Sequence, residues 1–210
     1  MTTFEDIIAA DTILQRVVAQ TSAPKPSRRG NDLYFTLCDS IVSQQISTKA
    51  AAVIFGRFCA LFPEGYPAAD LVLQKTDEEL RAASLSFQKI NYLRNVARFH
   101  LESGIDNDRL DAMTDDEIIA YLTPIKGVGR WTVEMLLMFS LDRPDVFPID
   151  DLVVRNQMKK AYGITSEGKE MRQQLTAIAE TWRPFRSAVC KYLWRWKDES
   201  LLQTEASPEK

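Results

Sequence analysis

With 210 residues, 45% of them apolar, the chain can fill one large domain or two closely joined lobes around a substantial core. No stretch reaches the ~18 to 20 uninterrupted apolar residues of a membrane span, and the start, Met-Thr-Thr-Phe-Glu-Asp, lacks the basic and apolar regions of a signal peptide, so a soluble, cytoplasmic protein is expected. The net charge of -3 argues against a uniformly basic nucleic-acid binder, but acid gathered in runs such as Asp77-Glu78-Glu79 and Asp115-Asp116-Glu117 leaves the local field free to differ from the total.

Phe4, Ile7, Ile8, Leu14, Val17 and Val18 return to one face at helical intervals. Ser22 to Asn31, with Pro24, Pro26 and Gly30, reads as a linker or ordered crossing. Leu33 to Ile46 and Thr48 to Leu61 follow as two apolar helices, closed by Phe62-Pro-Glu-Gly-Tyr-Pro67. Thr76-Asp-Glu-Glu79 and Thr114-Asp-Asp-Glu117 fit the capping box, in which a hydroxyl and a glutamate satisfy orphan amides, so each opens a short helix. Between them, Lys89 to Ser103 carries Ile90, Leu93, Val96, Ala97 and Leu101 at helical spacing and stops at Gly104.

Later helices are predicted over Asp151 to Tyr162, Lys169 to Thr181 and Pro184 to Lys197, with 201–210 as a mobile tail. Strand alternation is absent, so the expected fold is all-α. It forms a single two-lobed domain over 1–200, lobe one covering about 32–147 and lobe two about 1–31 plus 148–200.

Cys38, Cys59 and Cys190 are far apart and set in apolar segments, which fits reduced, buried thiols better than a disulfide or iron-sulfur framework. His100 is the single histidine, which argues against a Ser-His-Asp triad and excludes a multi-histidine metal site, and it reads as a helix-surface residue.

In Tyr121-Leu-Thr-Pro-Ile-Lys-Gly-Val-Gly-Arg-Trp-Thr-Val-Glu-Met135, two glycines separated by one apolar residue join two helices. Gly127 and Gly129 permit close approaches that a side chain would obstruct, and Val128 can anchor the turn in the core. The next helix then points its free amides outward, where a phosphate oxygen can bind without net positive charge. Gly-x-Gly turns also join helices for purely structural reasons. Downstream, Asp145-Val-Phe-Pro-Ile-Asp-Asp-Leu-Val-Val-Arg155 sets two carboxylates at the head of an apolar helix. One reading is a helix cap. The other is a carboxylate that stabilises positive charge on a sugar and orients water.

Thr123, Ile125, Gly127, Val128 and Gly129 match the helix-hairpin-helix signature, and Arg130-Trp131-Thr132 continues it in the manner of the DNA glycosylase superfamily bearing that motif. With the Pro-x-Asp-Asp of residues 148–151 and the tryptophan segment of 182–194, the chain resembles the 3-methyladenine DNA glycosylase II family over roughly Leu33 to Trp196. The resemblance implies the all-helical fold without the added N-terminal sheet domain of larger members. It also implies hydrolytic excision of alkylated bases such as 3-methyladenine from duplex DNA by a monomer, with no required cofactor.

By the same resemblance, Gly127, Val128, Gly129 and Arg130 grip the phosphate backbone, and the carbonyls of Thr123, Ile125 and Val128 hold a structural monovalent cation. Asp151 is catalytic and Asp150 its capping partner, although counting back from Arg155 along the endonuclease III branch matches Asp150 instead. Trp131 stands where bifunctional relatives carry a lysine nucleophile, so no Schiff-base route to strand cleavage is expected.

Trp194 corresponds to a pocket tryptophan, Trp182 supports the wall, and Trp131 and Tyr34 add aromatic faces. Electron-rich rings favour a cationic alkylpurine by ~0.5 to 2 kcal/mol, though core packing also accounts for each ring singly. In Ile41-Val-Ser-Gln-Gln-Ile-Ser-Thr48, Gln45 takes the place of the wedge that fills the hole left by the extruded base, with Gln44 beside it. Two other readings stay open: a non-catalytic DNA- or damage-binding module, and a glycosylase for an oxidised or deaminated base.

Overall fold

The computed structural model describes residues 2–24 and 32–205, and these hold thirteen α-helices and no strand. In chain order they are α1 (Phe4–Ala10), α2 (Thr12–Ala19), α3 (Leu33–Ser43), α4 (Thr48–Cys59), α5 (Ala69–Gln74), α6 (Asp77–Ala82), α7 (Phe87–Ser103), α8 (Asn107–Asp111), α9 (Asp115–Leu122), α10 (Arg130–Phe139), α11 (Leu152–Tyr162), α12 (Gly168–Glu180) and α13 (Arg186–Glu205). Among the described residues no helix is long and apolar enough to cross a membrane. The chain divides into two compact units, one of Met1–Ser27 with Arg143–Lys210 and one of Arg28–Asp142. Residues 25–31, which carry most of the expected linker, and 206–210, half of the expected tail, lie outside the described residues.

The unit of residues 28–142 is organised by α7. Ile90, Leu93, Val96 and Ala97 form a buried stripe on it, and α3, α5 and α6 pack against the helix. Ser86 accepts the Lys89 amide, so α7 starts earlier than its apolar pattern shows, and Gly104, at φ 82°, ends it. The capping boxes Thr76/Glu79 and Thr114/Glu117 are both formed, each with its two reciprocal hydrogen bonds. The helix α3 stops at Ser43, short of the predicted Ile46, because Gln45 adopts a left-handed φ of 60° that no right-handed helix accommodates. Lys89 of α7 donates to the Val42 carbonyl at that helix end, and partial burial lowers its ammonium pKa from the usual lysine value.

His100, expected on a helix surface, is half-buried. Its ring stacks on Tyr34 with centroids 4.6 Å apart, and its Nδ1 accepts the Ile105 amide just beyond the helix end. The three cysteines, none in a disulfide, follow their apolar surroundings, with Cys38 and Cys190 buried and Cys59 half-buried.

In the other unit the N-terminal apolar run is broken by Asp11, which ends α1 and accepts the Ile13 and Leu14 amides at the head of α2. The helix α11 packs on α13, α12 and α2. Trp182 fills this core at 0% exposure, edge-on to Phe147. The stretch before Val146 is strapped to the head of α13. Ser187 Oγ donates to the Arg143 carbonyl and accepts the Val146 amide, and Arg186 pairs with Asp145. Continuing to Glu205, α13 makes residues 201–205 helical where a mobile tail was expected.

Removing a fully buried tryptophan leaves a cavity that its neighbours only partly close, so Trp182→Ala is predicted to cost about 3 to 5 kcal/mol. Urea unfolding followed by far-UV circular dichroism measures this. A loss below about 1 kcal/mol would contradict the core position of the ring.

Candidate functional site

Between α9 and α10 the chain reverses through Thr123 to Gly129. Ile125 and Val128 are buried, and the Val128 amide donates to the Ile125 carbonyl at 2.9 Å, so the turn is anchored in the core as its sequence predicts. Gly127 has φ 111°, and a Cβ there would lie 2.4 Å from Cγ of Tyr92, so backbone sign and space each demand glycine. The Gly127 carbonyl accepts Nε2 of Gln44 and the Lys126 carbonyl accepts Nδ2 of Asn95, each at 3.0 Å.

Gly129 is different. It sits at φ -90° and ψ 167°, ordinary extended backbone, and an added Cβ would meet no atom within 4 Å. It is the N-cap of α10 and makes no side-chain capping bond, although Ser, Asn or Asp would cap there more favourably than glycine. Among the described residues neither space nor backbone sign requires glycine here, and its consequence is a bare backbone at the positive end of a ten-residue helix. Arg130 follows, exposed and paired through Nε with the buried Glu134 at 2.9 Å. Trp131 is 43% exposed. The Ile125 carbonyl, one of three oxygens expected at a cation, already accepts one amide and has a second lone pair, which suits a cation ligand.

The two glutamines at the end of α3 divide their roles. Gln44 turns to the hairpin, whereas Gln45 is exposed on its left-handed backbone, the presentation a wedge needs. Both border a groove of about 290 Å³ together with Ile46, Ser84, Lys89 and Tyr92.

In the unit of residues 1–27 and 143–210, Asp151 is the N-cap of α11, buried at 6% exposure. Its Oδ1 accepts the Val154 amide at 2.8 Å and the indole Nε1 of Trp194 at 3.0 Å. Asp150, expected as the capping partner, does not cap. It is exposed and pairs with Arg172 at 2.6 Å, because a single residue fits the extended N-cap position and that residue is Asp151. Leu152, directly after it, is 62% exposed.

The predicted aromatics separate accordingly. Trp194 is half-buried beside the Asp151 carboxylate and Trp131 is open to solvent, while Trp182 is wholly internal, the position of a support. Tyr34, expected to offer a face to a base, is 1% exposed. Its hydroxyl donates to the Pro67 carbonyl at 2.8 Å and its ring lies against His100, so it is a core residue. Tyr92 and Asn95, which shape the hairpin, were not singled out by the sequence. The one available signal was the spacing of three between Lys89, Tyr92 and Asn95 along α7.

The sequence model of the HhH-GPD superfamily, base excision DNA repair proteins, matches residues 38–184. The DNA-3-methyladenine glycosylase 1 of Schizosaccharomyces pombe is 36% identical over 174 residues, which cover 82% of this chain and 75% of that protein. Among solved structures, the 3-methyladenine DNA glycosylase of the same yeast in complex with abasic DNA aligns with a TM-score of 0.81 at 33% identity, covering 92% of this chain and 95% of that one. A DNA-3-methyladenine glycosidase from Bacillus halodurans aligns with a TM-score of 0.76 at 35% identity, covering 95% and 89%.

The two hairpin glycines are predicted to separate in thermal denaturation. Gly127→Ala meets both a clash and a left-handed φ and should lower the melting temperature by several degrees, at about 2 to 4 °C per kcal/mol for a chain of this size. Gly129→Ala meets neither and should lose only about 1 to 2 °C, the small cost of alanine at an N-cap. Equal shifts in the two variants would refute this division.

Proposed function

Because the chain belongs to the HhH-GPD superfamily of base excision DNA repair proteins, we propose that it hydrolyses the N-glycosidic bond of alkylated bases such as 3-methyladenine in duplex DNA and leaves an abasic site. The observation that carries the chemistry is the buried Asp151 carboxylate, aimed by two N–H donors, one from its own helix and one from Trp194.

An N-alkylated purine is positively charged, so when its bond to C1′ breaks the electron pair leaves with the base, which departs neutral. Positive charge then builds on the deoxyribose. A fixed carboxylate stabilises that charge without reorganising, and it orients the water that adds to C1′ and gives up a proton. Trp194, already tied to Asp151, offers an electron-rich face suited to a cationic base. Trp131 occupies the place of a lysine nucleophile, so no amine there forms a Schiff base and the abasic strand stays intact.

The bare backbone at Gly129 and the head of α10 receive phosphate, with Arg130 beside them. The carbonyls of Thr123, Ile125 and Val128 would hold a monovalent cation, whose charge would add to that of the amides. Gln45 enters the stack as the base leaves it.

The test is release of 3-methyladenine from methylated duplex DNA. Asp151→Asn retains an oxygen that can accept both N–H groups, so it should fold normally, bind DNA and lose roughly 10² to 10³ in rate. Asp150→Asn should excise at the parent rate. Loss confined to the Asp150 variant would reverse the assignment, and a parent protein that binds DNA without releasing base would defeat it.

Trp194→Phe keeps an aromatic ring but removes one hydrogen bond to a charged group. Excision should slow by about 10-fold, the kinetic equivalent of the ~1.5 kcal/mol at the low end for such a bond. An unchanged single-turnover rate would remove Trp194 from the orientation of Asp151.

A further inference from the structure

The turn that presents Gln45 and the hairpin that presents Gly129 are far apart in sequence, yet one residue touches both. Gln44 closes α3 with extended backbone at ψ 131°, directly before the left-handed Gln45. Its side-chain amide reaches the Gly127 carbonyl at 3.0 Å. The other end of that same peptide unit, the Val128 amide, is bound by the Ile125 carbonyl at 2.9 Å. The plane of the 127–128 peptide is therefore held at both edges. The next peptide carries the Gly129 amide, the first of the bare group, so its direction is inherited from the plane that Gln44 fixes.

A stripe on α7 backs both elements. Lys89 donates to the Val42 carbonyl at the end of α3, the Tyr92 ring lies where a Gly127 side chain would be, and Asn95 donates to the Lys126 carbonyl. Positions 89, 92 and 95 recur every three residues, the spacing that keeps side chains along one side of a helix. Against this rigid backing, the exposed strained residue Gln45 and the hairpin backbone are joined through one amide hydrogen bond. Gln44 is short of what a wedge needs, since its head group is already engaged, but it is placed to transmit the position of the wedge turn to the hairpin.

We propose that Gln44 is a positioning residue that couples insertion of Gln45 into the duplex to the phosphate grip of the 127–129 hairpin, so that opening of the base stack and binding of the backbone are one event. The inference rests on the DNA-directed reading above for its ligand, but not on the chemistry at Asp151.

The test is a double-variant cycle on binding, using a duplex with a tetrahydrofuran abasic-site analogue and a neighbouring 2-aminopurine whose fluorescence rises on unstacking. Gln44→Met keeps the side-chain length and removes the amide, and its melting temperature should stay within about 3 °C of the parent. Its affinity should fall about 10-fold and the fluorescence rise should be lost. Gln45→Ala should behave alike, and the double variant should be no weaker than the weaker single, because either change breaks the same linkage. Gln44→Glu, which replaces the donor by an acceptor facing a carbonyl, gives the same pattern and serves if the methionine variant is poorly folded.

Losses that multiply in the double variant would show two independent contacts and overturn the proposal, as would parent-like fluorescence in Gln44→Met and Gln44→Glu. Base release by the parent protein is scored separately, so a failure of the excision reading leaves the binding cycle interpretable.

Discussion

A carboxylate cannot be buried without partners, and satisfying Asp151 shapes the unit that contains it. One of its oxygens accepts from the first turn of α11 and from an indole on α13, which joins two helices at one atom. The approach to Asp151 is tied down by the same helix, since Ser187 and Arg186 at the head of α13 hold residues 143–146. Thus α13 grips the loop at its start and the aspartate at its end. The capping and catalytic readings of the aspartate pair look like rivals in the sequence, yet the residue that caps α11 is the same Asp151 that the proposed function makes catalytic. The geometry that caps a helix is also the geometry that fixes a carboxylate for electrostatic work.

Under the proposed function the hairpin unit faces a different problem, how an acidic chain offers a place for phosphate. Lysine and arginine are not what shapes the hairpin. Asn95, Gln44 and Tyr92 position peptide groups, and the head of α10 is left without a side-chain cap. Oriented backbone amides carry partial positive charge at no cost in net charge, so a total of -3 is compatible with a local anion site. Gly127 is glycine because its left-handed φ and the Tyr92 ring demand it, whereas at Gly129 neither backbone sign nor space among the described residues does.

What the sequence made legible was local. The boxes at Thr76 and Thr114 formed because hydroxyl, glutamate and amides lie within one turn, and Val128 is buried because an apolar residue between two glycines has few other places to go. The misreadings were of features set at long range. Both aspartates precede the same helix, and the partner that distinguishes them, Trp194, is 43 positions away. Tyr34 has the composition of a pocket wall, but a carbonyl at Pro67 and the ring of His100 enclose it. The end of α3 depends on a strained φ at Gln45 that no propensity specifies, and the clamp residues of α7 sit inside an ordinary amphipathic pattern.

The direction of the hydrogen bonds at Asp151 bears on which bases the proposed reaction suits. The Val154 amide and the Trp194 indole both donate to the carboxylate, so their hydrogens are directed at it and away from a leaving group. A neutral lesion departs well only if a proton reaches the base as the bond breaks. A base that is already cationic needs no such proton, because the electron pair it takes neutralises it. One oriented carboxylate, acting on charge that develops in the sugar, then matches the demand of the reaction, and N-alkylated purines are the lesions that present it. Selectivity on this view lies as much in the bond as in the pocket: the electrostatics at Asp151 serve a substrate that brings its own activation.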